Sequence, residues 1–193
     1  MISILKKIGQ FILDTIQMIV LSLSVFIIVY LFLFQPHQVK GSSMFPSFLD
    51  KEFLLTNKIS YRFNSPQRGD VIIFKAPKSE PCSEIECEYI KRLIGLPGDR
   101  IMVKQSLVYL NGEQLNETDY LGNSVITSPG SFLSEGVEKI VPEGYILPLG
   151  DNRPYSRDGR EFGFVSRDSI IGKAWLRYWP IEKIGFVKHE NYN

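Results

Sequence analysis

GSSMFPSF, residues 41–48, places a serine between a glycine turn and a proline, shortly after a long apolar run. A serine hydroxyl attacks a carbonyl only when a base removes its proton. Glycine and proline favour a tight, fixed turn on which such a side chain could be presented. Ser43 in this turn is by itself more often structural than catalytic, so the flanking segments decide what the stretch means.

The uncharged segment TIQMIVLSLSVFIIVYLFLF, residues 15–34, precedes this turn. About 20 helical residues span a hydrocarbon core of ~30 Å, and a backbone in lipid must satisfy its own hydrogen bonds. We therefore predict a transmembrane helix over residues 15–35, ended by Pro36 because proline cannot continue the helical hydrogen bonds.

Lys6 and Lys7 lie on the N-terminal side of the apolar run. The positive-inside rule then predicts that residues 1–14 are cytoplasmic and that residues 36–193 lie outside. A cleaved signal peptide is the alternative, but its apolar centre would be shorter, and residues 34–39 contain no small-x-small site.

Composition limits the classes of function. The chain has 193 residues, of which 44% are hydrophobic, and its formal net charge is +1. This suits one domain plus an anchor, and it gives no basic excess that would indicate a nucleic-acid partner. The sequence has no glycine-rich phosphate loop and no His/Cys cluster with metal spacing, so we expect no cofactor and no metal.

After the anchor, short β-branched and aromatic runs alternate with Gly, Pro and Asn turns, without a convincing helical period. Asn111-Gly112 between strand formers predicts a hairpin, and residues 117–138 are expected to form a loop or a weakly structured insertion. These features predict a mainly β, barrel-like domain. The expected strands are at 52–59, 71–74, 89–94, 145–149 and 169–179, the last as one or two strands.

Lys91 interrupts the apolar strand pattern of YIKRLIGLPGD, residues 89–99. Lys91 and Arg92 should point to opposite faces of the strand. If Lys91 faces the interior, desolvation lowers its pKa, as a lysine base near neutral pH requires. The duller alternative is an edge lysine that extends its amine to solvent.

A polar loop, GDNRPYSRDGREFG at residues 150–163, follows an expected strand. Its alternating charges allow an Asp158–Arg160 ion pair, and a hydroxyl such as that of Ser156 could hold an amine in place. A solvated loop is the alternative interpretation.

Together these segments resemble the type I signal peptidases, the Ser/Lys family that removes signal peptides from exported proteins. The matches occur in family order, at SMFPS (43–47), RGDVIIF (68–74), YIKRLIGLPGD (89–99), GDNR (150–153) and S-x-D-x-R-x-F-G (156–163). The resemblance implies a signal-peptidase/LexA-like β-barrel catalytic domain after one transmembrane helix, with a short variable insertion at 102–140.

The resemblance also implies roles for individual residues. Ser43 would be the nucleophile and Lys91 the base, while Ser156 would orient the amine and Asp158 and Arg160 would form a supporting ion pair. Met44 and Ile90 would contact the substrate. The Ser43 backbone N–H would bind the oxyanion. Many members carry a second donor hydroxyl where this chain has Gly41, so that donor could be Ser42, another backbone N–H or a water.

The function implied is cleavage of signal-peptide-bearing pre-proteins after a small-x-small motif, at the outer face of the cytoplasmic membrane. The partners would be these pre-proteins and the lipid bilayer, and we expect a monomer. Two alternatives stay open, namely a Ser/Lys protease dedicated to a narrow substrate set and a catalytically silent membrane scaffold.

Two further features remain. If the domain lies outside the cytoplasm, Cys82 and Cys87 are in a compartment where disulfides persist, and we hypothesise that they close a small loop.

A group of apolar side chains should lie mostly in the core, with the others forming an exposed patch at the lipid interface. The group comprises Phe45, Phe48, Leu49, Trp175, Tyr178, Trp179 and Phe186.

Overall fold

A computed structural model describes residues 2–82, 87–122, 125–190 and 192. It contains an N-terminal helix followed by a mainly β domain, so the predicted fold class is confirmed. The helices are α1 (Ile2–Phe32), α2 (Ser60–Phe63), α3 (Thr118–Leu121) and α4 (Gly159–Phe162), with 3-10 turns at Arg153–Tyr155, Arg167–Ser169 and Ile181–Lys183. The strands are β1 (Phe34–Gln38), β2 (Phe53–Asn57), β3 (Val71–Lys75), β4 (Glu88–Gly95), β5 (Arg100–Lys104), β6 (Leu107–Leu110), β7 (Glu113–Gln114), β8 (Lys139–Ile140), β9 (Tyr145–Leu149), β10 (Val165–Ser166), β11 (Ile170–Trp179) and β12 (Gly185–Phe186).

Helix α1 has 31 residues, and its segment Lys6–Phe32 is long and apolar enough to cross a membrane. The predicted bounds, 15–35, differ from those observed at both ends. The N-terminal residues are already helical, and the helix stops at Phe32 because the next residues pair as strand β1 with β2. Pro36 lies within β1, which is an edge strand, and an edge tolerates a residue without an N–H.

The main sheet has eight strands in the order β1-β2-β11-β3-β4-β9-β10, with β12 paired to β11. Its strands pair antiparallel, and two apolar clusters pack against its faces. The predicted final strand is one ten-residue element, β11, which pairs with both β2 and β3 and has three register shifts along these two pairings.

Residues 100–140 form a second sheet in the order β7-β6-β5-β8, in the region predicted as a short insertion. The Asn111-Gly112 hairpin is confirmed, with φ values of +55° and +90° at its two central residues. The segment 117–138, predicted as a loop, also contains helix α3 and the fully buried Leu133. It is held in part by backbone hydrogen bonds from Phe132 and Leu133 to the Arg160 carbonyl.

The predicted placement of the aromatic group was mostly wrong. Phe48 is 4% exposed and belongs to the core, whereas Phe186 is 73% exposed, Phe45 51% and Trp179 50%. β11 and β12 therefore present an apolar surface to their surroundings. We name this surface the aromatic patch and define it as Phe45, Leu49, Trp175, Trp179 and Phe186.

Cys82 and Cys87 form a disulfide with a Cα–Cα distance of 5.8 Å. It closes the loop that connects β3 with β4. Closing a loop this short removes chain entropy worth about 2 kcal/mol from the unfolded state.

We expect the double variant Cys82→Ser/Cys87→Ser to lose about 2 kcal/mol of unfolding free energy. Denaturant titration of the detergent-solubilised chain, with and without reductant, measures this. Reductant should lower the midpoint of the parent chain and leave that of the variant unchanged. A parent chain indifferent to reductant would contradict the expectation.

Candidate active site

The 41–48 turn is held at its start and from beneath. Gly41 adopts φ +82°, and its N–H donates to Asp50 Oδ1 at 2.7 Å. The Phe45 N–H closes the turn on the Ser42 carbonyl at 3.0 Å. Met44 is 1% exposed and packs with Phe48 in an apolar cluster. Ser43 is therefore fixed at the surface of a turn whose neighbouring side chain is buried.

The β4 strand places Lys91 under this turn. The side chain is 4% exposed, and its Nζ lies 2.8 Å from Ser43 Oγ. The same amine donates to the Ile90 carbonyl at 3.0 Å. The structure thus brings together the two residues that the sequence proposed as nucleophile and base.

Burial lowers the pKa of Lys91 from its ordinary 10.5 to about 8, although Asp158, Asp151 and Glu80 raise it in the opposite direction. The Tyr89 ring centroid is 5.3 Å from the amine. Lys91 forms no ion pair with any carboxylate among the described residues. Desolvation therefore outweighs the negative charges nearby, and a neutral amine is accessible close to neutral pH.

Asp158 and Arg160 form the expected pair. Arg160 donates to Asp158 through Nε at 2.8 Å and through a terminal nitrogen at 2.9 Å, and the Gly150 N–H donates to the same carboxylate at 2.9 Å. Burial alone would raise the pKa of Asp158, but these hydrogen bonds hold it below its usual value. The carboxylate stays charged and ties α4 to the end of β9.

Ser156 lies at the site, next to Gly150. Its hydroxyl oxygen is buried and has no hydrogen-bond partner among the described residues. A side chain at Gly150 would place Cβ 2.0 Å from Ser156 Oγ and 2.6 Å from the Ser43 carbonyl oxygen. Gly150 therefore lets the last polar loop approach the nucleophile turn, and the expected role of Ser156 stays a prediction.

Sequence reasoning missed the buried pair that joins these parts. Arg92, 2% exposed, binds Asp151 through Nε at 2.9 Å and a terminal nitrogen at 2.7 Å. Ser47 Oγ donates to the same carboxylate at 2.6 Å. Strand alternation did place Arg92 opposite Lys91, and a buried guanidinium needs a carboxylate. The sequence did not indicate which carboxylate would pair with Arg92.

A second missed network supports the polar loop. Arg153, 1% exposed, pairs with Glu117 and donates to Thr127 at 2.8 Å. Arg157 binds the buried Glu80 at 2.6 Å. The loop between β3 and β4 and the 117–127 segment are thereby both attached to residues 153–157.

A groove of about 560 Å³ opens beside Ser43 and Lys91. Ile90 lines it, as expected, whereas Met44 lies beneath the nucleophile turn and is not on its wall. The first residues of β4, 88–91, pair with β3 but have no strand on their other side among the described residues. The groove is lined by Gln35, Pro36, His37, Gln38, Val39, Lys40, Ser43, Leu54, Ile73, Glu88, Tyr89, Ile90, Lys91 and Arg157.

His37 lies in this groove. Its Nε2 is 2.8 Å from Glu88 Oε2, and its Nδ1 is 2.7 Å from Thr56 Oγ1. Burial lowers the pKa of His37 despite Glu88. Among the described residues, no cluster of three or more His, Cys, Asp or Glu side chains is arranged to hold a metal ion.

A serine hydroxyl in contact with a buried amine beside an open groove is an arrangement that fits the serine hydrolases as a class. The sequence profile of the family described as "Signal peptidase, peptidase S26" matches residues 12–179. The chain therefore belongs to the signal peptidase S26 family, and this makes it a serine endopeptidase of the signal peptidase I kind.

Several proteins are similar to this chain. It is 40% identical over 164 residues to signal peptidase I of Bacillus caldolyticus, covering 81% of this chain and 85% of that protein. It is 32% identical over 193 residues to signal peptidase IB of Staphylococcus aureus (strain COL), covering 94% and 95%. A crystal structure of a signal peptidase I from Enterococcus faecalis V583 matches at 32% identity and a TM-score of 0.44, over 57% of this chain and 97% of that one.

We expect Gly150→Ala to lower pre-protein cleavage by about 100-fold, since a misplacement of ~1 Å at a reacting group costs that much. The added methyl cannot fit between the Ser156 hydroxyl and the Ser43 carbonyl. Cleavage rate and thermal unfolding should be measured together. Gly185→Ala, where a side chain meets no atom within 4 Å, is the matched control and should stay fully active. Comparable activity of the two variants would contradict the close approach.

We expect kcat/KM to rise with pH through a midpoint near the Lys91 pKa of about 8, because only the neutral amine accepts a proton. Glu80→Gln should move this midpoint to lower pH, since Glu80 raises the pKa of Lys91. The exposed Glu113→Gln on β7 is the control and should not move it. A pH profile that falls through this range would exclude Lys91 as the base.

Proposed function

We propose that the chain is a membrane-anchored endopeptidase that removes signal peptides after a small-x-small motif, with Ser43 and Lys91 as a catalytic dyad. The observation that carries this proposal is the 2.8 Å contact between the Ser43 hydroxyl and the amine of Lys91, a residue that is 4% exposed. A lysine that remained charged could not accept the serine proton, so burial and contact are both needed.

The dyad would act in two steps. In acylation, Ser43 Oγ attacks the scissile carbonyl while neutral Lys91 takes its proton, and the resulting ammonium then protonates the leaving amine. In deacylation, Lys91 takes a proton from the attacking water and returns it to Ser43. The Ser43 N–H is the proposed oxyanion donor, a contribution of about 3–4 kcal/mol.

The second oxyanion donor would not be the Gly41 backbone. Its N–H is already committed to Asp50, and the residue has no side chain. The exposed Ser42, another backbone N–H or a water remain as possible sources of that donor. Ser156 would orient the Lys91 amine, and the Asp158–Arg160 ion pair would support the dyad by fixing the polar loop beside it.

The unpaired edge of β4 supports binding of an extended substrate. A peptide added along residues 88–91 would direct every second side chain into the groove. Ile90, Leu54, Val39 and Ile73 make part of that groove apolar. A groove that receives every second side chain fits a motif in which two small residues flank one unrestricted residue.

The position of the aromatic patch supports anchoring at a lipid surface. Phe34, two residues after α1, stacks on Trp175 at 5.0 Å, and Trp175 contacts Phe186 at 5.4 Å. The patch is therefore continuous with the end of the apolar helix. We propose that α1 crosses the cytoplasmic membrane with Lys6 and Lys7 inside, while the patch enters the outer interface.

Ser43→Ala and Lys91→Ala should each abolish cleavage of a pre-protein in detergent micelles, a loss of at least ~10⁴-fold, without lowering thermal stability. Lys91→Arg should be equally inactive, because a guanidinium stays protonated. Lys104→Ala, an exposed lysine on β5, is the control.

Full activity of either the Ser43 or the Lys91 variant would refute the dyad. A panel of unrelated pre-proteins should also be cleaved by the parent chain. Cleavage of a single member of that panel would favour the narrower maturation protease instead.

A further inference from the structure

Asn152 contacts both peptide groups that flank the nucleophile. Its side-chain Nδ2 donates to the Ser42 carbonyl at 2.9 Å, and its backbone N–H donates to the Ser43 carbonyl at 3.0 Å. One residue of the polar loop thus holds two consecutive carbonyls of the 41–48 turn.

The hydrogen bond to the Ser42 carbonyl fixes the direction in which the Ser43 N–H points. In a trans peptide the C=O and the N–H point to opposite sides of one plane. The Ser42 carbonyl belongs to the same plane as the Ser43 N–H, so holding that carbonyl on Asn152 turns the Ser43 N–H away from Asn152. Within residues 2–82, 87–122, 125–190 and 192, no group accepts a hydrogen bond from the Ser43 N–H.

Asn152 is itself held in place. Asp151, the preceding residue, is locked in the buried pair with Arg92, and the Tyr155 N–H donates to the Asn152 carbonyl at 2.9 Å. The Phe45 N–H also donates to the Ser42 carbonyl, so the local turn supplies one of two donors to that oxygen and Asn152 supplies the other. The side chain therefore links a rigid support to a peptide plane that the turn holds only in part.

We propose that Asn152 is a positioning residue whose side-chain amide orients the Ser42–Ser43 peptide so that the Ser43 N–H meets the oxyanion. This inference rests on the proposed function, because it assumes that Ser43 is acylated. Removing an oxyanion donor outright costs about 10²–10³ in kcat. A donor that is kept but misaligned should cost less, about 10–100-fold.

Asn152→Ala removes the side-chain amide and keeps the backbone N–H. We expect kcat to fall about 10–100-fold with KM and the pH midpoint unchanged, because neither the groove nor the Lys91 amine is altered. The affinity of a peptide aldehyde, whose adduct with Ser43 places an oxyanion-like oxygen at the site, should fall by the same factor. The affinity of an uncleavable peptide of equal sequence should not change.

Asn152→Asp provides a second test, since its shape is kept but its carboxylate cannot donate to the Ser42 carbonyl. Both variants should be compared with the parent on the high-pH plateau, where the added charge no longer affects the protonation of Lys91. The exposed Asn64→Ala is the control. Thermal unfolding identifies a variant that has lost its fold. If one of the two Asn152 variants is unfolded, the kinetics of the other test the proposal.

The inference is overturned if a folded variant keeps kcat within about twofold, or if aldehyde and uncleavable peptide lose affinity equally. These outcomes are separable from a failure of the proposed function. An active Ser43→Ala chain would refute the dyad, whereas an inactive Ser43→Ala chain beside fully active Asn152 variants would refute only the role of Asn152.

Discussion

The contact between the buried Lys91 amine and the Ser43 hydroxyl is the constraint on which the rest of the site depends. An amine without a paired carboxylate can be buried only if it gives up its proton readily, and the pKa of about 8 expresses this. Three carboxylates raise the pKa of that amine, so its environment must restrain them. Asp151 is bound by Arg92 and Asp158 by Arg160, while Glu80 is bound by Arg157. The arginines therefore keep the negative charges of the site from pairing with the lysine.

The same pairs also set the geometry. Asp151 receives hydrogen bonds from Arg92 on β4 and from Ser47 in the 41–48 turn, so one carboxylate joins the segments that carry Lys91 and Ser43 to the polar loop. Asp158 likewise joins Gly150 to α4, because its carboxylate accepts hydrogen bonds from the N–H groups of Gly150 and Arg160. Buried ion pairs are poor sources of net stability, because desolvation offsets most of their attraction. In this chain they restrict how β4, the 41–48 turn and the polar loop can be arranged relative to one another.

Much of the fold followed from the sequence, because the signals were local. The apolar run, the Asn111-Gly112 turn and the β-branched runs each indicate one element without reference to the others. The contact between Ser43 and Lys91 could be expected because both segments resemble one family of serine proteases and because strand alternation lets Lys91 face the interior. The exceptions involve partners distant in the chain. The end of α1 at Phe32 depends on β2, which pairs with the residues that follow, and the choice of Asp151 by Arg92 depends on how β4 meets β9. Most of the aromatic group was wrongly predicted to lie in the core because composition cannot distinguish a core face from an exposed apolar face.

The cost of this arrangement falls on the folded state. A lysine whose pKa is lower in the folded chain than in the unfolded chain destabilises the fold where the unfolded chain keeps the proton. That penalty is absent well above pH 10.5, grows as the pH falls toward about 8, and is complete below it, at on the order of 3 kcal/mol. The buried Ser156 hydroxyl, which has no hydrogen-bond partner within the part of the chain that the structure describes, adds a second cost. Both costs lie within a few ångströms of Ser43 and are absent from the second sheet. Apolar clusters and a disulfide hold the domain together, so that one amine can stay neutral near the groove.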